Sequence, residues 1–514
     1  MSTLLGRKIT TDCIVFHVDF SNRKCFAPNI LNYSSWTVGT GNVNNDTTKY
    51  GVTNFNVNGT TGEDSRVLGV DPFNYTSAVV WKSSTVDTTL PSGDGGWNSG
   101  NFEIDNSKMY RFTVWTKRDA MTVGPTSSGA FYLGHYARSA EGGLTFSKAL
   151  VNGVLTNNPY HHITPNPNIS VLSSVQSPYL GGINTWTLVV GHVWPVRTEV
   201  QTSVPGSAVY GLAANGSHPD SGVWTPAANK IGNPNQGQDY IWYETAVFSN
   251  HRAYLYYSAD VTATQSFIYP RVDIVDGLEP SIQELLSGPE PIRDLSPKMN
   301  IMYPLSTTDF DKNGRGLNFS GLDANVIRGT MSTTFNTQTL SVWFNPNLTV
   351  GSQSAGQNIL QFGPTSSENS FIVCLGSYTG AIEGEVVSVI TNFTAVGGTQ
   401  NLTAYASNTF TFQAGVWYNL VLSWSETKYL MYINGKEVTT VTAGGGFGNR
   451  HAALSTNVTM VHIGSASFTS GGVFYPYNSN FNGKIGSLLV YERNLTASEV
   501  RLNFESMMQK YGLI

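Results

Sequence analysis

The sequence predicts an all-β protein built from antiparallel sheets, and three observations carry that prediction. Gly415-Val-Trp417-Tyr-Asn-Leu-Val-Leu-Ser-Trp424 and Lys428-Tyr-Leu-Met-Tyr-Ile-Asn434-Gly435-Lys436 alternate apolar and polar residues with period two, as a sheet with one buried face requires. Asn434-Gly435 stands between Leu430-Met-Tyr-Ile433 and Glu437-Val-Thr-Thr440, a strong signal for a tight hairpin. Only 12% of the chain is charged, against about 25% in an average soluble protein, while aromatic residues also reach 12%. Thr, Ser, Asn and Gly fill the polar positions instead, as they do in β-rich proteins with extracellular-type surfaces.

At 514 residues the chain is expected to hold two or three domains. In chain order, Cys13-Ile-Val-Phe-His17-Val-Asp19-Phe-Ser-Asn22 reads as the first strand. Further strand-like segments are Pro28-Asn-Ile-Leu-Asn-Tyr-Ser-Ser-Trp36, Met109-Tyr-Arg-Phe-Thr-Val-Trp115-Thr-Lys117 and Ile183-Asn-Thr-Trp186-Thr-Leu-Val-Val-Gly191. Arg252-Ala-Tyr-Leu-Tyr-Tyr-Ser258 and Phe267-Ile-Tyr-Pro-Arg271-Val-Asp273 follow. Pro280-Ser-Ile-Gln-Glu-Leu-Leu-Ser287, with proline at its start and Gly288 at its end, predicts a short linker helix. Thr496-Ala-Ser-Glu499 is a capping box opening an amphipathic run through Val500, Phe504 and Met508, which predicts a short C-terminal helix.

The strand and hairpin at 415–436, followed by Phe481-Asn-Gly-Lys-Ile-Gly-Ser-Leu-Leu-Val-Tyr-Glu-Arg493-Asn-Leu-Thr496, resemble in order and wording the laminin-G-like, concanavalin A-like jelly roll. The strand at 13–22 resembles the opening strand of such modules in structural proteins of tailed bacteriophages. In those modules an Asp-Leu-Ser turn and a glycine-bounded hairpin soon follow. Here their counterparts, Asp294-Leu-Ser-Pro-Lys-Met-Asn300 and Gly316-Leu-Asn-Phe-Ser-Gly321-Leu-Asp323, come only after a long insert. The insert's strand segments in turn resemble galactose-binding-like carbohydrate-binding jelly rolls. The expected organisation is therefore two antiparallel jelly-roll β-sandwiches, one inserted in the other. Residues 1–26 would give the first strand of the laminin-G-like domain, 27–278 the inserted carbohydrate-binding-module-like jelly roll, 279–288 the linker helix and 289–514 the remainder of the first domain.

A net charge of −5 with no basic stripe argues against nucleic-acid binding. No uninterrupted apolar run approaches the length of a membrane span, so no membrane insertion is expected, and no signal-peptide pattern opens the chain. Cys13, Cys25 and Cys374 are too few and too scattered for a disulfide framework and are read as reduced. The phage resemblance accommodates an extracellular-type surface on such a chain. It implies synthesis in a host cytoplasm, a place on the virion surface, other virion proteins and further copies of this chain as partners, and surface glycans as ligands.

Glycoside hydrolysis needs two facing carboxylates. Glu103-Ile-Asp105 and Glu383-Gly-Glu385 are the nearest pairs, but Ser107 stands where the usual third acid belongs, and all four read as surface acids. His17 and Asp19 share a strand face, and the match to the family strand makes a structural hydrogen bond the expected role. His161 and His162 point apart on a strand, and Gly444-Gly-Gly-Phe-Gly448 lacks the Lys-Ser/Thr of a phosphate loop. No catalytic residue is assigned. Structural calcium is the one cofactor considered, with Asp64, Asp71, Asp94 and Asp323 as loop ligands. Trp81, Trp97, Trp224, Trp242 and Tyr243, in Gly/Asn/Asp-rich surroundings, are the candidate sugar-stacking platforms, whereas Trp36, Trp115, Trp186, Trp343, Trp417 and Trp424 read as core. The expected function is non-enzymatic adhesion from a virion head, neck or tail. A pure assembly or decoration module and, third, a carbohydrate-active enzyme stand as alternatives.

Overall fold

The computed structural model describes residues 9–60, 62–84, 94–120, 131–157, 159–164, 184, 186–202, 208–211, 223–224, 239–255, 262–305, 308–322, 326–330, 339–350, 356–363, 370–376, 387–392, 403–405, 410–424, 429–438, 441–443, 460–465, 467–470, 473–476 and 479–513. Nearly every regular element is a strand, and the chain forms two compact units. Met1–Ala27 joins Glu290–Ile514 in one, and Pro28–Pro289 makes up the other.

In the discontinuous unit, the strand Ile14–Asp19 buries Phe16 and Val18 and pairs antiparallel with Asn482–Tyr491, His17 opposite Leu489. The buried Asp294 carboxylate fixes this strand to the turn that follows the other unit. It accepts hydrogen bonds from the His17 amide (2.9 Å), the Ser296 amide (2.8 Å), Ser296 Oγ (2.8 Å) and Asn300 Nδ2 (2.8 Å). One sheet runs Asp309–Phe310, Leu317–Ser320, Asn482–Tyr491, Thr339–Pro346, Tyr418–Trp424, Tyr429–Ile433 and Lys436–Val438, with Ile14–Asp19 also on Asn482–Tyr491. The other runs Ile292–Arg293, Ile301–Pro304, Ile327–Thr330, Met460–Ile463, Gln357–Phe362, Ser370–Leu375 and Val387–Asn392. Phe16 meets Phe362 edge-on, ring centroids 5.7 Å apart, joining the two sheets through the core.

Asn434 (φ 50°) and Gly435 (φ 72°) form the hairpin turn between Tyr429–Ile433 and Lys436–Val438, both in the left-handed region that such a turn demands. The helix Ala497–Met507 begins at a capping box in which Thr496 and Glu499 satisfy each other's backbone amides. Its face and the residues after it cover the first sheet. Trp343 stacks on Phe504 and on Tyr511 (centroids 5.6 and 4.3 Å), and Trp417 lies 4.6 Å from Tyr511.

The continuous unit contains a sheet ordered Leu144–Thr145, Phe131–Arg138, Phe248–Leu255, Gly96–Ser99 and Phe55–Asn58, with Tyr160–Thr164 also on Phe131–Arg138. Its larger sheet centres on Thr187–Trp194, Tyr110–Ala120, Thr264–Ile274, Ala78–Ser84 and Asp64–Gly69. Alternation decides the faces. Leu133, His135 and Ala137 on one strand and His251, Ala253 and Leu255 on its neighbour are buried, and Leu133, Ala137 and Ala253 share a core with Phe112, Val114 and Trp242. The short helix Ile282–Ser287 is capped by Ser281, with Glu284 closing the box, so Pro280 precedes the cap instead of opening the helix. Leu285 and Leu286 join this same core, so the helix belongs to the second unit and the boundary falls at Pro289.

Candidate functional site

Three of the four tryptophans that the sequence offers as sugar platforms are instead core. Trp81, Trp97 and Trp242 are each at most 1% exposed. Trp81 Nε1 donates to Asp64 Oδ1 (2.8 Å), Trp97 packs against Phe55 and Trp36, and Trp242 Nε1 donates to the Lys108 carbonyl (3.2 Å). A buried indole contributes more than any other side chain to apolar burial, which outweighs the Gly-rich surroundings that made these residues look exposed. Tyr243 is exposed, in a turn. Trp224 pairs with Val209 across two short strands, and its side chain lies outside the described residues, as does that of Trp424.

Among the described residues the calcium set is not assembled either. Asp64 Oδ1 accepts from Trp81 and from Ser83 Oγ (2.7 Å), and burial raises its pKa to about 7, so this oxygen serves the core. Asp71 accepts from the amides of Phe73 and Tyr75 (both 2.8 Å) and from the Tyr269 hydroxyl. Asp94 is half-buried beside Asn58 Nδ2 (3.2 Å), and Asp323 lies outside the described residues. Among the described residues no group of three or more His, Cys, Asp or Glu side chains could hold a metal ion.

Of the carboxylate pairs, Glu103 and Asp105 are exposed, and Asp105 is held by Ser107 and Lys108. Glu383, Glu385 and Gly444–Gly448 lie outside the described residues. The His17 amide binds Asp294, and Asp19 accepts from Ser21 and from Lys510 Nζ (2.6 Å).

A different set of residues converges on the outer face of the smaller sheet of the continuous unit. Cross-strand register aligns Asn56, Asn98, Arg252, Gly134 and Tyr160 in one row across five strands. A second row carries Asn58, Gly96, Tyr254 and Tyr132, and Asn250 lies opposite Tyr136. The Arg252 guanidinium is the hub. It lies 4.0 Å from the Tyr136 ring centroid, 4.6 Å from that of Tyr254 and 5.1 Å from that of Tyr160, and it donates to the Tyr254 hydroxyl.

Tyr132 stacks on Tyr160 at 4.0 Å, and the Tyr160 and Tyr254 hydroxyls are 2.6 Å apart. Gly134 makes this possible: a Cβ there would stand 2.5 Å from the Pro159 carbonyl oxygen and 2.7 Å from the Tyr160 ring. Tyr136, Tyr160, Asn58 and Asn98 are half-buried and Asn56 is exposed, so the cluster reaches solvent through phenol rings and amides. The signal for this face was present as period-two alternation of Tyr132, Gly134 and Tyr136 against Leu133, His135 and Ala137.

Behind the same strands, three buried histidines surround Phe112. His135 and His161 stack 5.2 Å apart, and His251 sits edge-on to Phe112. His251 Nε2 donates to the Thr113 carbonyl (3.0 Å), and His135 Nε2 lies 3.1 Å from Ser147 Oγ. Burial pushes His135 down to about 3 and His251 to about 4, so both rings are neutral at ordinary pH and belong to the core.

Residues 320–501 match the family model of the concanavalin A-like lectin/glucanases superfamily. That match lies within the discontinuous unit. No curated protein matches the sequence. Among solved structures, the chain is similar to domain 4 of the extracellular arabinanase AbnA of Geobacillus stearothermophilus in complex with arabinotriose (16% identity, 38% of this chain and 79% of that one, TM-score 0.23). It is similar also to the CBM40 of the Ruminococcus gnavus IT-sialidase (17% identity, 33% and 82%, TM-score 0.24). A third similarity is to the binding domain of botulinum neurotoxin DC in complex with SialylT (13% identity, 42% and 48%, TM-score 0.29).

Proposed function

We propose that this chain is a non-enzymatic adhesion protein that binds glycans on the outer face of the smaller sheet in its continuous unit. The row Asn56, Asn98, Arg252, Gly134 and Tyr160, flanked by Tyr136, carries the proposal. Phenol rings stack on the apolar face of a pyranose, while amides and a guanidinium bond its hydroxyls. None of the row residues is a carboxylate, and hydrolysis would need two. The setting we propose is the surface of a tailed-phage particle, where virion proteins and further copies of this chain are its neighbours after synthesis in a host cytoplasm. That setting rests on the resemblance carried by residues 13–22 and 294–300. In such an array a millimolar contact, worth about −4 kcal/mol, gains by avidity.

A glycan array probed with the full chain, followed by calorimetry on the best ligand, tests the proposal. Tyr136→Ala should weaken binding about tenfold, as the loss of an aromatic contact worth roughly 1–1.5 kcal/mol implies. Absence of any glycan bound at millimolar concentration, or an unaffected Tyr136→Ala, would overturn it. The assembly-only reading has one observation of its own: Leu144, Phe146, Val154 and Leu155 are exposed apolar residues close together in sequence. Concentration-dependent association abolished by Phe146→Ser, with no glycan binding, would favour it.

A further inference from the structure

Among the described residues, five arginines of the continuous unit are buried, and Arg252 is the one with two side-chain nitrogens left without a hydrogen-bond acceptor. Arg111 and Arg271 share the Asp273 carboxylate, Arg66 donates to the carbonyls of Thr37, Thr40 and Gly41, and Arg118 donates to Gln265. Arg252 is 4% exposed, its one side-chain acceptor is the neutral Tyr254 hydroxyl, and among the described residues it has no acidic partner. Its Nε and Nη1 atoms are buried without a hydrogen-bond acceptor. Three phenol rings offset part of the charge through their faces, but they cannot accept the in-plane N–H groups as an oxygen would. A buried cation with unmade donors is costly to leave so, and a ligand that supplies the acceptor recovers that cost on binding.

We infer that the glycan held on this face is acidic, and that a carboxylate or sulfate on the sugar is the missing partner of Arg252. The inference rests on the glycan-binding reading above. Tyr136 and Tyr160 are the half-buried rings over the guanidinium, so the acid reaches Arg252 as one of them turns aside, while the other supplies the stacking surface. The amides of Asn98 and Asn56, next along the row, face the neutral part of the same sugar.

The experiment uses the full chain and matched ligand pairs that differ in charge alone. Oligogalacturonate is compared with its methyl ester, and lactose 3-sulfate with lactose, by calorimetry at low and high salt. The expected result is that the acid member of one pair binds about tenfold tighter or more, with a preference that shrinks as salt screens the charge. Which pair shows it distinguishes carboxylate from sulfate. Arg252→Gln should abolish the preference, so that the acid and neutral members of each pair bind equally though both more weakly than to the native chain, and Arg252→Lys should keep part of it. Thermal melts confirm folding, and should either variant fail to fold, the salt dependence of the native chain still decides. Equal binding of both members in each pair overturns this inference and leaves glycan binding standing. Failure of every member to bind, with no glycan bound on the array, overturns both.

Discussion

Asp273 shows how much a single side chain holds in the continuous unit. Its carboxylate lies 2.7 Å from Arg111 Nη2 and 2.7 Å from Arg271 Nη2, all three residues being buried. Burial works to raise its pKa, but the two guanidinium groups overcome that and hold it below the usual carboxylate range. Asp273→Ala would leave two buried cations unpaired, and breaking a buried pair from one side costs about 3–5 kcal/mol. Urea denaturation should show that loss, and a change under about 1 kcal/mol would mean water reaches the arginines.

Protonation gives a second residue-level prediction. His135 and His251 titrate near 3 and 4 when folded and near 6.5 when unfolded, so between these limits the unfolded chain binds more protons and stability falls as pH is lowered. Asp64 works the other way. Its folded pKa of about 7 exceeds the ordinary 3.8, so its neutral form adds stability as pH drops from 7 towards 4. Asp64→Asn keeps an acceptor for Trp81 but cannot titrate. The denaturation midpoint of that variant should therefore decline more steeply with acid than that of the native chain, and parallel pH profiles would contradict the assignment.

At the scale of the element, the hairpin at 434–435 and the C-terminal helix depend on each other. Gly435 has a left-handed φ of 72°, and a Cβ there would stand 3.0 Å from Phe504 Cδ1. Gly435→Ala should cost about 1 kcal/mol in backbone strain, with a further penalty from displaced helix packing. The helix amides at 500–507 should then exchange faster with solvent, and unchanged protection would separate the turn from the helix.

Both elements were legible in the sequence because their signals are local: Asn-Gly for the turn, Thr-Ala-Ser-Glu for the cap. The tyrosine–arginine face was not, although each of its strands shows the right alternation. Its row draws on positions 56, 98, 134, 160 and 252, and only the strand order and register bring them together. Counting tryptophans near glycines misled for a related reason. Whether an aromatic ring lies inside depends on the opposite sheet, which a local window does not contain.

For the whole molecule, the nested arrangement implies that each unit folds from its own core. The chain on either side of the continuous unit is tied together inside the discontinuous one, where the Arg293 amide donates to the Cys25 carbonyl (2.8 Å). The Asp294 turn then binds the His17 amide (2.9 Å), so the strand Ile14–Asp19 is anchored by residues that follow the excursion. Excising Pro28–Pro289 and joining Ala27 to Glu290 through a few Gly and Ser residues removes no strand from the two sheets of the discontinuous unit. It also replaces a very long loop by a short one, which lowers the entropic cost of bringing the first strand onto Asn482–Tyr491. The shortened protein should be soluble and β-rich, unfold in one cooperative step, and keep the near-ultraviolet dichroism of Trp343 and Trp417 packed against Tyr511. Residues 28–289 expressed alone should retain whatever glycan binding the full chain has. Aggregation of the shortened protein, or a flat near-ultraviolet spectrum with retained β content, would show that the discontinuous unit needs its insert to pack.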